Sequence, residues 1–174
     1  MLENYNTYNV LKVFLDSPLY EFGLREISRQ ISLALPSVKK YLNDLEKEGL
    51  ILKKELKGNP VYIASIDSER FRFYKRLFIQ HELFNSGLIN YLWDALSPKA
   101  IILYGSFAKG ESTSGSDIDL FVIGKKSKVD IEKFQKKLGK EVHLIIDSLE
   151  NIPSELKNNL INGIIMKGYW SVIE

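Results

Sequence analysis

Apolar residues recur at helical spacing in three short stretches near the N-terminus. The first covers residues 8–15 and is followed by the stop signal Asp-Ser-Pro at 16–18, and the second covers residues 24–31. The third starts at Pro36, whose fixed φ suits the first position of a helix, and runs to Gly49, which suits a left-handed C-cap. The pattern therefore predicts three short helices.

Two apolar runs of strand length follow, Leu50–Leu52 and Val61–Ile63, separated by a lysine-rich segment that ends in Gly58-Asn59-Pro60. They predict a β-hairpin. Three helices followed by a hairpin is the order of a winged helix-turn-helix, in which the third helix can enter a DNA major groove. The run ALPSVKKYLNDLEKEGLILKKELKGNPVYIAS resembles that family, and we expect such a domain at residues 1–66.

Residues 67–98 contain large apolar side chains at spacings of three and four, among them Phe71, Tyr74, Leu88 and Leu92. The spacing predicts an amphipathic, mainly helical connector. It is too apolar for a flexible linker, so we expect it to pack between the two halves of the chain or against a second copy in a homodimer.

The pattern changes at Lys99, where Ala100–Tyr104 forms a compact apolar run of strand length. Further strands are predicted at 117–123 and 141–146, with a lysine-rich helix at 129–138 and a last helix that starts near Pro153 or Ser154. Strands that alternate with helices indicate a small α/β domain at residues 99–174.

Composition narrows the chemistry that this chain can perform. It has no cysteine and only two histidines, which excludes disulfides, thiolate metal sites and a cysteine nucleophile. A net charge of +2 is too small to identify a nucleic-acid binder by itself. No stretch approaches the roughly 18 apolar residues of a spanning helix, so we expect a soluble, cytoplasmic protein without membrane contact.

The segment after the first C-terminal strand has the features of a phosphate site. Gly105 and Ser106 stand where a buried strand gives way to a turn or short helix. The missing side chain at 105 would let a phosphate approach backbone N–H groups, and the Ser106 hydroxyl could donate to it. Lys109 is either a solvated turn residue or a cation that attracts the phosphates.

Asp117 and Asp119 are two residues apart in a strand-like run, so both carboxylates should point to one face while Ile118 and Leu120 point into the core. Two carboxylates held close together repel unless a cation lies between them. Magnesium binds carboxylate and phosphate oxygens, so a phosphate cradle that faces paired aspartates suits displacement at a nucleotide α-phosphate.

The sequence Gly-Ser-Phe-Ala-Lys-Gly, a short spacer and Ser-Asp-Ile-Asp-Leu resembles the signature of the polymerase-β-type nucleotidyltransferase superfamily, nearest to its minimal, MNT-type branch. The resemblance covers about residues 99–174. It implies that Gly105 and Ser106 hold a nucleoside triphosphate and that Asp117 and Asp119 bind Mg²⁺. The expected fold is α+β with two domains: the winged helix-turn-helix, the connector, and a small α/β nucleotidyltransferase domain with a mixed sheet.

This family usually supplies a third carboxylate from a later strand, and the sequence departs from the family there. The equivalent position is His143, with Val142, Leu144 and Ile146 on the opposite face of the strand. His143 could serve as base or metal ligand at neutral pH, and Glu141 could substitute for it. The departure raises the alternative of weak or absent catalysis.

Basic and hydroxyl residues in the N-terminal domain lie where DNA phosphates would be expected in a winged helix-turn-helix. They are Ser37, Lys39 and Lys40 near the start of the third helix, and Lys53, Lys54 and Lys57 in the hairpin. Acidic residues later in the same helix leave a protein-binding or dimerising role open.

The expected reaction moves a nucleoside monophosphate from ATP or another nucleoside triphosphate to a hydroxyl. By resemblance, minimal members often act with a separate helical partner of the HEPN type, which makes an antitoxin-like modifier the implied role. The alternative is a DNA-binding transcriptional regulator whose nucleotidyltransferase domain senses nucleotides and is catalytically weak.

Overall fold

A computed structural model describes residues 5–170 of the chain. The chain divides into two compact units, Met1–Tyr74 and Lys75–Glu174, and the division falls within one helix, Glu69–Ser86. The outer ends of the predicted domains, residues 1–4 and 171–174, lie outside the described residues. Among residues 5–170, no helix is both long and apolar enough to cross a membrane.

The first unit contains the three helices and the hairpin that the sequence predicts. Its elements in chain order are α1 (Asn6–Asp16), β1 (Phe22–Gly23), α2 (Leu24–Gln30), α3 (Leu35–Lys47), β2 (Ile51–Leu56) and β3 (Asn59–Ala64). The strands form an antiparallel sheet in the order β1-β3-β2. The sequence pattern does not predict strand β1, because two residues are too few to show a periodicity of two.

Helix α3 forms because its apolar residues recur on one face, and Val38, Leu42 and Leu45 are all buried. Its start differs from the prediction by one residue, since Leu35 precedes Pro36 in the helix. A proline fits either position, because neither N–H would have a partner within the helix. The predicted left-handed residue after the helix is confirmed, with Gly49 at a φ of +70°.

The hairpin turn lies at Lys57 and Gly58, which both have positive φ (50° and 77°), as expected for a two-residue hairpin turn. Strand β3 therefore begins at Asn59 and includes Pro60, earlier than the predicted apolar run. A proline is tolerated there because β3 pairs with β1 only at Val61 and Tyr62, so residue 60 pairs with Glu55 of β2 alone.

The second unit is a four-stranded sheet with helices. It comprises the end of α4 (Glu69–Ser86), α5 (Leu88–Leu96), β4 (Ala100–Tyr104), α6 (Gly105–Lys109), β5 (Ile118–Ile123), α7 (Glu132–Leu138), β6 (Val142–Asp147), a 3₁₀ turn (Leu149–Asn151), α8 (Ser154–Ile161) and β7 (Ile164–Gly168). The strand order is β6-β5-β4-β7. Strands β5 and β6 are parallel and the other pairs antiparallel, which confirms the predicted mixed sheet.

Alternate residues of β4, β5 and β6 divide the core between the two faces of this sheet. One face packs on α5 and contains Ile101, Leu103, Ile118 and Leu120. The other includes Ile102, Tyr104, Phe121 and Ile123 and packs with Leu160 of α8. This second face is the one that bears the candidate site.

The second unit differs from the sequence-based expectation in several places. Strands β5 and β6 each begin one residue later than predicted, so Asp117 and Glu141 precede them, and α7 begins at Glu132 rather than at residue 129. Gly87, at a φ of +87°, breaks the predicted helical connector into α4 and α5. Strand β7 is an additional strand that pairs with β4 across a register shift between Ile101 and Ile102. Its apolar run is too short to distinguish from the end of the preceding helix by periodicity.

Candidate functional site

Three polar side chains form a row across neighbouring strands at one end of the sheet. Tyr104 is the register partner of Asp119 on β5, and Asp119 is the register partner of His143 on β6. Register partners share a face of the sheet. His143 Nδ1 lies 3.3 Å from Asp119 Oδ1, which is within hydrogen-bond distance. The predicted position of His143, on the strand beside the one that carries Asp119, is therefore confirmed.

The exposed fraction of the side chain increases along this row from Tyr104 to His143. Tyr104 is 7% exposed, whereas the side chains of Asp119 and His143 are 27% and 62% exposed. Burial raises the pKa of the Tyr104 hydroxyl, and the negative charge of Asp119 raises it further. Asp119 thus has a neutral hydroxyl on its buried side and an imidazole on its exposed side. Sequence reasoning missed Tyr104, although its place as the last residue of β4 was a usable signal.

Gly105 is required by the position of Asp119. A Cβ at residue 105 would overlap Asp119 Oδ2, and it would lie 3.1 Å from Asp119 Cγ. Gly105 also has a φ of +70°, which L side chains rarely adopt. The two oxygens of Asp119 therefore have different neighbours, with Oδ1 at His143 and Oδ2 at Gly105.

Ser106 is the second residue of the five-residue helix α6, and it is half-buried. Phe107 and Ala108 fix this short helix by burial, whereas Lys109 is exposed. The first N–H groups of a helix have no partner within it, so they are available to an anion together with the Ser106 hydroxyl. The arrangement is compatible with the phosphate cradle expected from the sequence.

Asp117 is the residue before β5 and is exposed at the end of the loop 111–117. The loop is closed by the Thr113 N–H, which donates to Ser116 Oγ at 2.9 Å, and by the Ser116 N–H, which donates to Thr113 O at 3.2 Å. Ile118 and Leu120 are fully buried on the other face, as alternation predicts.

Glu141, the predicted substitute for His143, is exposed and precedes β6. Its carbonyl oxygen accepts a hydrogen bond of 2.9 Å from the N–H of Ile118. This bond starts the pairing of β5 with β6. Its backbone therefore holds the strand that carries Asp119.

Within residues 5–170, no group of three or more His, Cys, Asp and Glu side chains is arranged so that it could hold a metal ion. The carboxylates that the sequence predicts as metal ligands are Asp117 and Asp119. Magnesium keeps several waters and commonly takes only one or two carboxylates together with substrate phosphates, so two aspartates are compatible with it.

Two lysines of the predicted α7 region make contacts within the second unit. Lys137 Nζ donates to the carbonyl oxygen of Asn85 at 2.7 Å, near the C-terminal end of α4, where a positive charge is favourable. Lys133 Nζ lies 5.3 Å from the ring centroid of Tyr91 on α5. These contacts hold α7 against the neighbouring helices.

The residues proposed to contact DNA lie on two elements of the first unit. Lys39 and Lys40 are exposed on α3, and Ser37 is half-buried there. Lys53 and Lys54 are neighbours on β2 and therefore point to opposite faces of the hairpin. A concavity of about 480 Å³ lies along the hairpin and is lined by Lys53, Lys54, Glu55, Gly58 and Pro60.

Lys54 also forms an exposed ion pair with Glu21, with its Nζ 3.4 Å from Glu21 Oε1. Lys57 is in the turn, at a φ of 50°. No sequence pattern indicates the Glu21 contact, because the two residues are far apart in the chain. Exposed pairs of this kind contribute little to stability, so Lys54 can exchange Glu21 for another anion.

No curated protein matches the chain at the level of sequence. A family model described as the nucleotidyltransferase domain matches residues 87–168. The matched region extends from Gly87, just before α5, to the end of β7 and includes the Gly105–Lys109 helix, both aspartates and His143. This half of the chain is therefore similar to nucleotidyltransferase domains.

Proposed function

We propose that the second unit transfers a nucleoside monophosphate from a nucleoside triphosphate to a hydroxyl group, with Mg²⁺ as cofactor. One observation carries the proposal: Asp119 lies with Oδ2 against Gly105 and Oδ1 within 3.3 Å of His143 Nδ1. One carboxylate thus joins the residues expected to bind phosphate to the residue expected to accept a proton. The similarity of residues 87–168 to nucleotidyltransferase domains supports this reaction class.

In this mechanism, the Ser106 hydroxyl and the first N–H groups of α6 bind the phosphates of the substrate, and Lys109 attracts them. Asp117 and Asp119 would hold Mg²⁺, which would supply positive charge to the substrate phosphates and to the departing pyrophosphate. The acceptor oxygen forms a bond to the α-phosphorus while the bond from that phosphorus to the pyrophosphate oxygen breaks.

The acceptor proton would go to His143. A carboxylate beside Nδ1 fixes the ring with its proton on that nitrogen, which leaves Nε2 free to accept another. His143 is the most exposed residue of the row, so an acceptor can reach it from solvent. The Asp119 carboxylate then stabilises the imidazolium that forms, as carboxylates do in comparable pairs.

The donor and acceptor follow from the resemblance to MNT-type proteins. We propose ATP or another nucleoside triphosphate as donor and a hydroxyl on a HEPN-type helical partner as acceptor, which gives an antitoxin-like modifier. Self-association through the connector is a separate proposal. Leu77 and Phe84 of α4 support it, because they are seven residues apart, on one side of the helix, and are 45% and 47% exposed.

For the first unit, we propose a winged helix-turn-helix that binds double-stranded DNA. The order of three helices and a hairpin supports this, as do the exposed Lys39 and Lys40 on α3. In this proposal Lys53 and Lys57 contact phosphates from the hairpin, and Lys54 has to exchange its partner Glu21 to do so.

A second candidate function is a DNA-binding regulator whose nucleotidyltransferase domain senses nucleotides without turning them over. The histidine at the position of the third carboxylate, His143, favours it. Both candidates use the same nucleotide site, so only turnover distinguishes them.

The test is pyrophosphate release from each nucleoside triphosphate, with and without a candidate partner protein. The transferase proposal predicts release by the wild type and a large loss in His143→Ala. Asp94→Asn, a change at an exposed aspartate on α5, serves as the control. A wild type without turnover that His143→Asp activates would contradict the transferase proposal and support the sensor.

A further inference from the structure

Lys140 lies in a turn whose backbone is held in place. Gly139, at a φ of +64°, ends helix α7, and the Lys140 N–H donates to the carbonyl oxygen of Gln135 at 3.3 Å. The side chain of Gln135 accepts a 2.9 Å hydrogen bond from the N–H of Val142, the first residue of β6. The Lys140 side chain therefore starts from a fixed point, three residues before His143.

The Lys140 side chain reaches two other elements. Its Nζ donates to the carbonyl oxygen of Ser114 at 3.3 Å and lies 5.5 Å from the ring centroid of Phe107. Ser114 belongs to the loop that leads to Asp117, and Phe107 is buried in helix α6 beside Ser106. One ammonium group thus contacts the elements that carry Ser106 and Asp117, from the turn that precedes the strand with His143.

We propose that Lys140 is a positioning residue that fixes the 111–117 loop, and with it Asp117, against helix α6 and strand β6. The loop's own hydrogen bonds, between Thr113 and Ser116, close it on itself, whereas the Lys140 bond ties it to the turn before β6. The inference rests on the proposed function, since the position of Asp117 matters for binding only if that carboxylate is a ligand.

The positive charge is what this role requires. An ammonium that donates to a carbonyl makes a charge-assisted hydrogen bond, and a cation near an aromatic ring adds to it. Methionine keeps the aliphatic length over Phe107 but cannot donate, whereas arginine can replace both contacts. Lys136 offers a matched control, because it is exposed on α7 and pairs within that helix with Glu132 at 2.7 Å.

The first measurement is hydrogen exchange of the loop amides in the full-length chain. In Lys140→Met, the Thr113 and Ser116 amides should exchange about threefold faster or more, as expected from loss of an exposed hydrogen bond. Lys140→Arg should restore most of the protection, and Lys136→Met should leave it unchanged. Unchanged exchange in Lys140→Met would overturn the proposal.

The second measurement is Mn²⁺ binding, followed by electron paramagnetic resonance of the free ion. Lys140→Met should weaken Mn²⁺ binding about tenfold, the usual scale for residues that orient a metal ligand, and Lys140→Arg should rescue it. Faster exchange with unchanged Mn²⁺ binding would overturn the positioning role. A wild type that binds no Mn²⁺ would contradict the proposed function instead, and the exchange result would then decide whether Lys140 holds the loop.

Discussion

The carboxylate of Asp119 occupies the space that a side chain at residue 105 would need. Asp119 Oδ2 is the heavy atom that a Cβ at position 105 would meet first, and the two would overlap. Gly105 also has a positive φ, so glycine is favoured there for two independent reasons. The close approach couples the end of β4 to the site on β5.

Gly105→Ala should therefore destabilise the fold by more than backbone strain alone, and it should also disturb the site. A left-handed conformation costs an L-residue about 1–2 kcal/mol, and displacement of the Asp119 carboxylate adds to that. We expect a larger loss of unfolding free energy than strain accounts for, measured by urea denaturation, together with loss of Mg²⁺-dependent nucleotide binding.

Gly49→Ala is the matched control for this change. Gly49, in the first unit, has the same φ of +70° as Gly105, but a Cβ there would have no neighbouring atom within 4 Å, so alanine adds backbone strain without overlap. It should lose only about 1–2 kcal/mol and keep nucleotide binding. Equal effects of the two substitutions on binding would show that the contact with Asp119 is unimportant.

The Tyr104 hydroxyl should respond to a change at Asp119. Burial and the Asp119 charge raise the pKa of Tyr104 above its ordinary value, so Asp119→Asn should lower this pKa while burial keeps it raised. The titration of Tyr104 is obtained at 295 nm as the difference between a protein and its Tyr104→Phe variant. Because the folded-state pKa is raised, the unfolded chain loses this proton first, and stability falls as the pH rises above about 10.

Tyr62 provides a control, titrated in the same way as the difference between a protein and its Tyr62→Phe variant. Burial raises its pKa too, but the nearby charge belongs to Glu46 in the first unit. Asp119→Asn should leave the pKa of Tyr62 unchanged. If the pKa of Tyr104 does not move either, the hydroxyl and the Asp119 carboxylate are not coupled.

Replacement of Lys53, Lys54 and Lys57 with alanine should weaken DNA binding and flatten its salt dependence. The slope of log K against log salt concentration is negative, and each lost phosphate contact reduces its magnitude by about 0.9. Because Lys54 pairs with Glu21, its single substitution should change the slope less than that of Lys53. Fluorescence anisotropy across a salt series measures this, with Lys136→Ala as control.

A wild type that shows no salt-dependent affinity for any duplex would contradict the proposal that the first unit binds DNA. The first unit would then be a protein-interaction or dimerisation module. The acidic residues that follow the start of α3, Asp44, Glu46 and Glu48, would suit that role.

Elements with several apolar residues in register are predictable from the sequence. Strand β4 has its predicted bounds, and α3 lies within two residues of them, because several apolar positions define each element. Strand β1 and the break at Gly87 are not predictable in this way, because they depend on pairing partners and backbone angles rather than periodicity. The pattern indicates the need for Gly105, but not its contact with Asp119.

For the site, alternation along the strands predicts that His143 lies beside Asp119 on the neighbouring strand, and the register confirms it. Alternation does not predict Tyr104, because its link to Asp119 comes from the antiparallel register of β4 and β5. The contacts of Lys140 and Lys137 also cannot be predicted from the sequence, because the partner of a long side chain depends on how the elements pack. Long-range polar contacts of this kind leave no periodic trace in a sequence.

The most direct test is nucleotide binding, measured by isothermal titration calorimetry in Mg²⁺ and again after its removal with a chelator. We predict that the wild type and the Asp94→Asn control bind a nucleoside triphosphate in Mg²⁺. Asp117→Asn and Asp119→Asn should each bind about tenfold more weakly or worse, and chelation should reduce the wild type to that level. Equal binding by all four proteins, or binding that does not depend on Mg²⁺, would contradict the assignment of this site.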